Sequence, residues 1–388
     1  MKVLFISNLY PDQAEPGRGL PNARLVRRLA KHCEIRVIAP RPVLPFMPSR
    51  RRRPLPDDEE VHPQFPSAWY LPKIGSRWNP WLMRRSLEPV IQRLRGRWPF
   101  ELVVSAWLYP DACAAQPIAA SYATPLIAIA QGSDVHQYLQ HPIRRRLMQL
   151  HLSRCRYLVA RSKNLAQTLE QAGFDPARLR VIYNGVDTTI FHPGDSRAAR
   201  QRLSLTQDAH ILLWVGNLLP VKNPLLAVEA ARLIQRRHTD PFYLVMLGDG
   251  PLGPQVAERA RQWRVPLILA GRRSEKDTAD FMRAADALCL TSHAEGTPNV
   301  VLEALACGLP VAATAVGGLP EIVQVPVAGQ LVPPADAPAL AEAVLKLWGE
   351  KHSPEVIAET VQSFSWERTV EKYLAIFSEV MVGRTAAS

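Results

Sequence analysis

One pattern constrains this chain more than any other. Short apolar runs alternate with amphipathic helical stretches, and the series occurs twice, once in each half of the 388 residues. In the first half Val3–Ser7, Glu34–Ala39, Leu102–Ser105, Pro125–Ala130, Tyr157–Ala160 and Val181–Tyr183 read as strands. In the second half the runs are Ile211–Val215, Phe242–Leu247, Leu267–Ala270, Ala287–Thr291 and Val311–Ala313. Runs this short, bounded by Gly, Pro, Asn and Asp, are buried strands rather than helices. Strands that alternate with helices close as parallel sheets covered on both faces. The expectation is an α/β chain with two doubly wound, Rossmann-like domains, 1–193 and 194–364, followed by a terminal segment, 365–388.

Hydrophobic residues make up 47% of the chain and charged residues 21%, enough for two ordinary cores. The formal charge is +12, with arginine runs at Arg50–Arg53 and Arg144–Arg146. Such charge attracts nucleic acid, anionic lipid or phosphorylated substrates, or it is simply a solvated surface. A nucleic-acid binder is disfavoured, because neither an aromatic stripe nor zinc-ligand spacing accompanies the charge. Cys33, Cys113, Cys155, Cys289 and Cys307 form no CxxC pair and no spaced Cys/His set, as expected of reduced core residues in a cytoplasmic protein. The apolar start, MKVLFISNLYPD, is too short for a signal peptide, and no run is long and apolar enough to span a membrane.

In doubly wound sheets, ligands bind at the carboxyl ends of the strands. The chain places its polar and glycine residues there: GNLLPVKN, GDGP and Gly271 in the second half, and Gly17 and Gly19 after the first strand. The segment EGTPNVVLEALACGLPV is the most specific. Thr297 and Pro298 read as N-cap and first helical residue, Asn299–Cys307 as the helix, and Gly308 as its stop. Glu295 precedes the helix. Glu303 lies one turn inside it among apolar neighbours, where an unpartnered carboxylate would cost several kcal/mol. The two glutamates need donors, and the helix start offers an anion site. A sugar nucleotide answers both needs; a helix-start carboxylate beside a structural Glu–Arg pair answers them without a ligand.

These motifs, in this order, resemble the E-x7-E signature of the retaining glycosyltransferases with the GT-B fold, in which two Rossmann-like domains face a cleft. The resemblance covers nearly the whole chain, from the first glycine loop through NGVD, GNLLPVKN, GDGP, ADALCLTS, EGTPNVVLEALACGLPVAAT and GGLPEIV to SWERTVEKY. It looks most like the bacterial branch that builds surface polysaccharides. It implies that Glu295 holds donor-sugar hydroxyls, that amides of Gly296, Thr297, Pro298 and Asn299 border sugar and phosphate, and that Glu303 binds the ribose. Lys222 would neutralise the departing diphosphate. Gly216, Asn217, Gly271 and Arg272 would border the donor, with Gly17 and Gly19 on the other domain. The family commonly has Arg at the place of Asn217, so Arg18, Arg161 or Arg273 would have to compensate. It commonly has His at the place of Gln131; Asp134 is the remaining catalytic candidate there, and Asp134 and His136 stand on the acceptor side.

No D-x-D motif is present; Asp57-Asp58-Glu59 reads as a solvated loop, and neither metal nor cofactor is expected. The expected partners are a nucleotide-sugar donor, with UDP the commonest carrier, and a glycan or lipid-linked acceptor. The arginine runs would dock the chain peripherally on the inner face of the cytoplasmic membrane. The last helix packs on the second domain by default; the resemblance implies that it crosses back to the first. A nucleotide-sugar epimerase and a non-catalytic donor-binding homologue are the competing readings.

Overall fold

The computed structural model describes residues 1–45, 47, 51–350 and 352–385. It divides the chain into two compact units, Met1–Tyr183 with Trp366–Ser388, and Asn184–Ser365.

The first unit contains strands β1 (Lys2–Ile6), β2 (Glu34–Ile38), β3 (Arg41–Val43), β4 (Ser67–Trp69), β5 (Leu102–Ala106), β6 (Leu126–Ala130), β7 (Tyr157–Ala160) and β8 (Leu179–Val181). Six of them form one sheet in the order β2-β1-β5-β6-β7-β8, and every pair is parallel. β5, β6 and β7 are buried along their whole length, which is why their sequences are continuous apolar runs without alternation. The Pro-rich stretch after β2, where no element was expected, holds the separate two-stranded pair β3–β4.

The second unit contains β9 (His210–Val215), β10 (Phe242–Leu247), β11 (Leu267–Gly271), β12 (Ala287–Leu290), β13 (Val311–Thr314) and β14 (Gly329–Val332). Their order is β11-β10-β9-β12-β13-β14. This is the doubly wound arrangement with its reversal between β9 and β12, the point where such sheets bind ligands. β14 and the helix Ala337–Gly349 complete this unit and have no counterpart among the expected elements.

One boundary differs from expectation. The first unit ends at Tyr183 rather than at 193, because Val186 and Phe191 are buried in the second unit's core. The terminal helix Trp366–Thr385 belongs to the first unit. Trp366, Val370, Tyr373, Ile376, Phe377 and Val380 join the core made by Val3, Phe5, Leu25 and Val26. This is the membership that the resemblance implies, and not the packing on the second domain that was the default from pattern alone.

Candidate active site

The second unit's site is assembled at its sheet reversal. After β9 the chain runs through Gly216 and Asn217 into a single turn of 3-10 helix, Pro220–Lys222. After β12 it runs through Thr291 and Ser292 to Glu295. The two loops are tied together. His293 N–H donates to Val221 O at 2.8 Å, Thr291 Oγ1 donates to Lys222 O at 2.8 Å, and Trp214 Nε1 donates to Thr291 Oγ1 at 3.0 Å. This lattice places Lys222 Nζ 2.6 Å from Glu295 Oε1. The same oxygen accepts from Ser292 Oγ at 2.5 Å. Glu295 is only 8% exposed, whereas the Lys222 side chain keeps 28%. A buried carboxylate, a half-exposed ammonium and a hydroxyl thus converge at the carboxyl end of the sheet.

The next strand shapes this loop from behind. Gly317, after β13, has φ +56, and a Cβ there would lie 1.9 Å from the Glu295 carbonyl oxygen. Gly318 N–H donates to Gly296 O at 2.9 Å. Glycine is required here by close approach as well as by the left-handed backbone.

Helix Asn299–Ala306 follows, with Pro298 as its N-cap and no side-chain cap. The expected Thr297 cap is corrected by one residue: Pro298 is extended, at φ −74 and ψ 103, so helical geometry begins only at Asn299. Asn184 Nδ2 donates to Asn299 Oδ1 at 2.9 Å and anchors the helix start. The burial of the two glutamates is the reverse of that expected from sequence. Glu295 is the buried one; Glu303 is half-exposed, because Val301, Leu302, Ala304 and Leu305 take the inward positions and turn it toward the open side.

Neighbouring loops stack beside Gly216. Gly216 N–H donates to Leu247 O at 3.0 Å, and Leu218 N–H donates to Asp249 O at 2.8 Å. Gly248, at φ +116, lets this contact form: a Cβ there would meet Gly216 O at 1.9 Å. Gly271 is also left-handed, at φ +69, and Arg272 pairs with Asp249 at 2.9 Å. Asn217 is exposed. The three arginines considered as substitutes for the missing charge each have contacts within their own unit. Arg18 holds Asn8, Arg161 is buried with its guanidinium 5.7 Å from the Tyr373 ring, and Arg273 lies 5.9 Å over Phe281.

In the first unit the sheet reverses between β1 and β5. Gly19, at φ +65, brings the glycine loop against Leu9, whose carbonyl oxygen would be 2.2 Å from a Cβ; Gly17 is exposed. Asp134 has no exposed surface. Its carboxylate accepts from Leu108 N, Gln131 N and Gly132 N at 2.8–2.9 Å. There it holds the Gln131–Gly132 turn and the Leu108 N–H. Burial raises its pKa, opposed by those three N–H groups. His136 is half-buried at the end of the short helix Ser133–His136.

Sequence reasoning passed over Asp12 and Asp111 and read Asp58 as solvated, yet all three carboxylates are fully buried. Asp111 has no exposed surface and accepts from Asn8 N at 2.6 Å and Asn8 Nδ2 at 2.7 Å. Burial pushes its pKa up to about 7, with the Asn8 hydrogen bonds acting against the rise. Its signal was the polar residue in WLYPD at the reversal strand's end. Asp58, read as solvated, is also fully buried, because the turn Pro56–Val61 packs on the helix Leu20–Ala30; Tyr10 Oη donates to it at 3.0 Å and Arg27 Nε at 2.8 Å.

All five cysteines are buried and unbridged. Among the described residues one set of three metal-competent side chains comes together, His210, His238 and Asp240. It lies at the amino end of β9 and β10, opposite the loops of Lys222 and Glu295, and His210 stacks on Trp348 at 4.6 Å.

The fold defines the class: a GT-B chain of two Rossmann-like units. HepE of Anabaena, solved with UDP and glucose, aligns at TM-score 0.74 and 19% identity, covering 98% of this chain and all of that one. Sucrose-phosphate synthase from Thermosynechococcus elongatus aligns at 0.76 and 19%, covering 99% of this chain and all of that one. Residues 22–190 match the model for Glycosyltransferase Family 4, and residues 209–350 match that for Glycosyl transferases group 1. Taken together, these matches support a place among the GT-B glycosyltransferases of group 1 / family 4. Curated relatives include the D-inositol 3-phosphate glycosyltransferases of Acidothermus cellulolyticus, 36% identical over 236 residues, and Kribbella flavida, 35% over 240. These cover 57% and 56% of this chain and 52% and 56% of the relatives, so the match spans about half the length of each.

Proposed function

We propose that the chain transfers a sugar from a nucleotide diphosphate sugar, with UDP as carrier, to a hydroxyl acceptor, and that the anomeric configuration is retained. The Lys222–Glu295 contact at the sheet reversal carries this reading. In the donor complex the Lys222 ammonium turns to the diphosphate and meets the negative charge that develops as the sugar leaves. Glu295, fixed by Ser292 and by the Gly317–Gly318 turn, accepts from sugar hydroxyls. Glu303, on the open side of its helix, accepts from the ribose. Gly216 and Gly271 border the nucleotide, and the backbone N–H groups of Gly296, Thr297 and Asn299 contribute further donors. With an ammonium and amides meeting the charge, the reaction proceeds without a metal. HepE, crystallised with UDP and with UDP-glucose, is similar in fold and supports the choice of carrier.

Two acceptor classes follow. A glycan or lipid-linked sugar in cell-surface polysaccharide synthesis is the first. A phosphorylated cyclitol is the second, favoured by the names of the curated relatives. Titration calorimetry with UDP, GDP and ADP, with and without EDTA, tests the donor site. Selective UDP binding that is indifferent to EDTA and lost in Lys222→Ala supports the reading; binding of no diphosphate refutes it. NMR of the product's anomeric proton tests retention, and an inverted product overturns that part alone.

A further inference from the structure

The stretch from β4 to the helix Asn79–Arg97 exposes an unusual set of side chains. Ile74 is 76% exposed, Trp78 53% and Trp81 57%. Trp69, at the end of β4, is also exposed. Their positions are fixed from the inner side of the chain. Asn79, itself buried, accepts from Leu71 N through Oδ1 at 2.8 Å and donates to Leu71 O through Nδ2 at 3.0 Å. Ser76 O accepts from Tyr109 Oη at 2.7 Å, and Ser76 Oγ accepts from Arg144 Nε at 3.3 Å. The loop is therefore held to the helix Pro142–Leu152, which exposes Ile143 and Leu150 in turn. Along Asn79–Arg97 the core takes Leu82, Met83, Leu87, Ile91 and Leu94, leaving Trp81 and Arg85 outward, one turn apart. An anchored loop that presents large apolar groups to water has a partner face.

Charge selects the partner. Lys73, Arg77, Arg85, Arg145 and Arg146 are exposed among these apolar groups. Glu88 is the sole acidic residue from Val61 to Phe100, and it is paired with Arg84 and Arg85. From Val135 to Leu169 the sequence has no acidic residue. Tryptophan beside arginine is the composition of a membrane–water interface, with indoles at headgroup depth and guanidinium groups on phosphates. We infer that the surface formed by Ile74, Trp78, Trp81 and Ile143 with Arg77, Arg85, Arg145 and Arg146 docks on an anionic lipid bilayer. This surface takes Arg145 and Arg146 from one of the arginine runs singled out from sequence, and neither Arg144 nor the run Arg50–Arg53. Arg52 is engaged with Asp12 and Glu15, Arg144 is stacked on Tyr109 and Tyr138, and Arg50 lies outside the described residues.

The test is co-sedimentation of the full chain with vesicles of phosphatidylglycerol and phosphatidylcholine, and with phosphatidylcholine alone. Trp78→Ser/Trp81→Ser and Arg145→Gln/Arg146→Gln are compared with the unaltered chain. The expected result is binding to the anionic vesicles, weakened at least tenfold in each double variant, with UDP calorimetry and circular dichroism unchanged. Binding that is equal in all three proteins, or absent from anionic vesicles, overturns the inference. So does a concentration-dependent dimer, seen by light scattering, that the tryptophan variant alone dissolves; that result assigns the face to a second copy of this chain. Vesicle binding is independent of the donor chemistry, so its failure leaves the transferase reading intact.

Discussion

Gly317→Ala tests whether the turn after β13 sets the position of the Glu295 loop. The added Cβ would stand 1.9 Å from the Glu295 carbonyl oxygen, whereas real Cβ atoms essentially never approach closer than 3.0 Å. The two loops must therefore separate by roughly 1 Å or more, the order of overpacking that costs about 1–3 kcal/mol. The left-handed backbone adds about 1–2 kcal/mol for a residue with a side chain. Gly271→Ala is the internal control. Its φ is +69, but nothing lies within 4 Å of a methyl group placed there, so it carries only the backbone part. At about 2–4 °C per kcal/mol for a unit of this size, Gly317→Ala should melt clearly below Gly271→Ala in differential scanning calorimetry. A displacement of about 1 Å in a catalytic constellation can cost about 10²-fold in rate. Release of UDP from UDP-sugar should therefore fall by that order in Gly317→Ala. If the variant melts with Gly271→Ala and retains the unaltered rate, the turn does not position Glu295 and the site geometry argued from it fails.

Other outcomes follow from the same structure. Lys222→Ala leaves Glu295 with Ser292 but without its ammonium, and should cost about 1–3 kcal/mol of stability, read by urea denaturation, along with at least tenfold in UDP affinity, read by calorimetry. For Asp111 the sign follows from its raised pKa. Between the ordinary aspartate value and about 7 the native state holds a proton that the unfolded chain has lost, so rising pH in that window lowers stability. Asp111→Asn should remove this slope, and urea midpoints that fall equally from pH 5 to pH 8 in both proteins would refute it. Phe377→Ala, in the terminal helix, should destabilise the first unit by about 3–5 kcal/mol, read as a lowered first calorimetric transition, while UDP affinity at low temperature stays unchanged.

The fully buried strands were legible because both faces of each sheet are covered, which turns a strand into an uninterrupted apolar run such as LVVSA or LIAIA. The helix Ala337–Gly349 was missed although its signals are ordinary: Asp336 caps it, Pro338 opens it, and Leu340, Ala341, Val344 and Leu347 repeat at helical spacing. The residue identities of the candidate site were legible as a motif, but their environments were not. Burial of Glu295 comes from Ser292, Lys222 and the Gly317 turn, contacts that cross two loops and that local pattern cannot reveal. Glu303 looked buried because its neighbours in sequence are apolar, yet a helix with one inward face leaves such a residue on the other. Asp58 failed the same way in reverse, a charged run hiding one inward carboxylate. Trp78 and Trp81 would by composition be assigned to a core, but Asn79 and Ser76 take the inward hydrogen bonds of this loop and Leu82 and Met83 the buried face of the helix.

The terminal helix has a consequence for the order of events during synthesis. Residues 184–365 are continuous and interrupt the first unit between Tyr183 and Trp366. The ends of that insertion are clasped, since Val186 N–H donates to Phe364 O at 2.8 Å, and Thr369 Oγ1 donates to Tyr183 O at 3.0 Å just outside it. The unit that begins first on the ribosome therefore finishes last. Its core near Val3 and Phe5 waits uncovered for Trp366, Tyr373 and Phe377, while the later-made unit already has all its strands. A nascent chain halted shortly before residue 366 would hold a complete second unit and an unfinished first one.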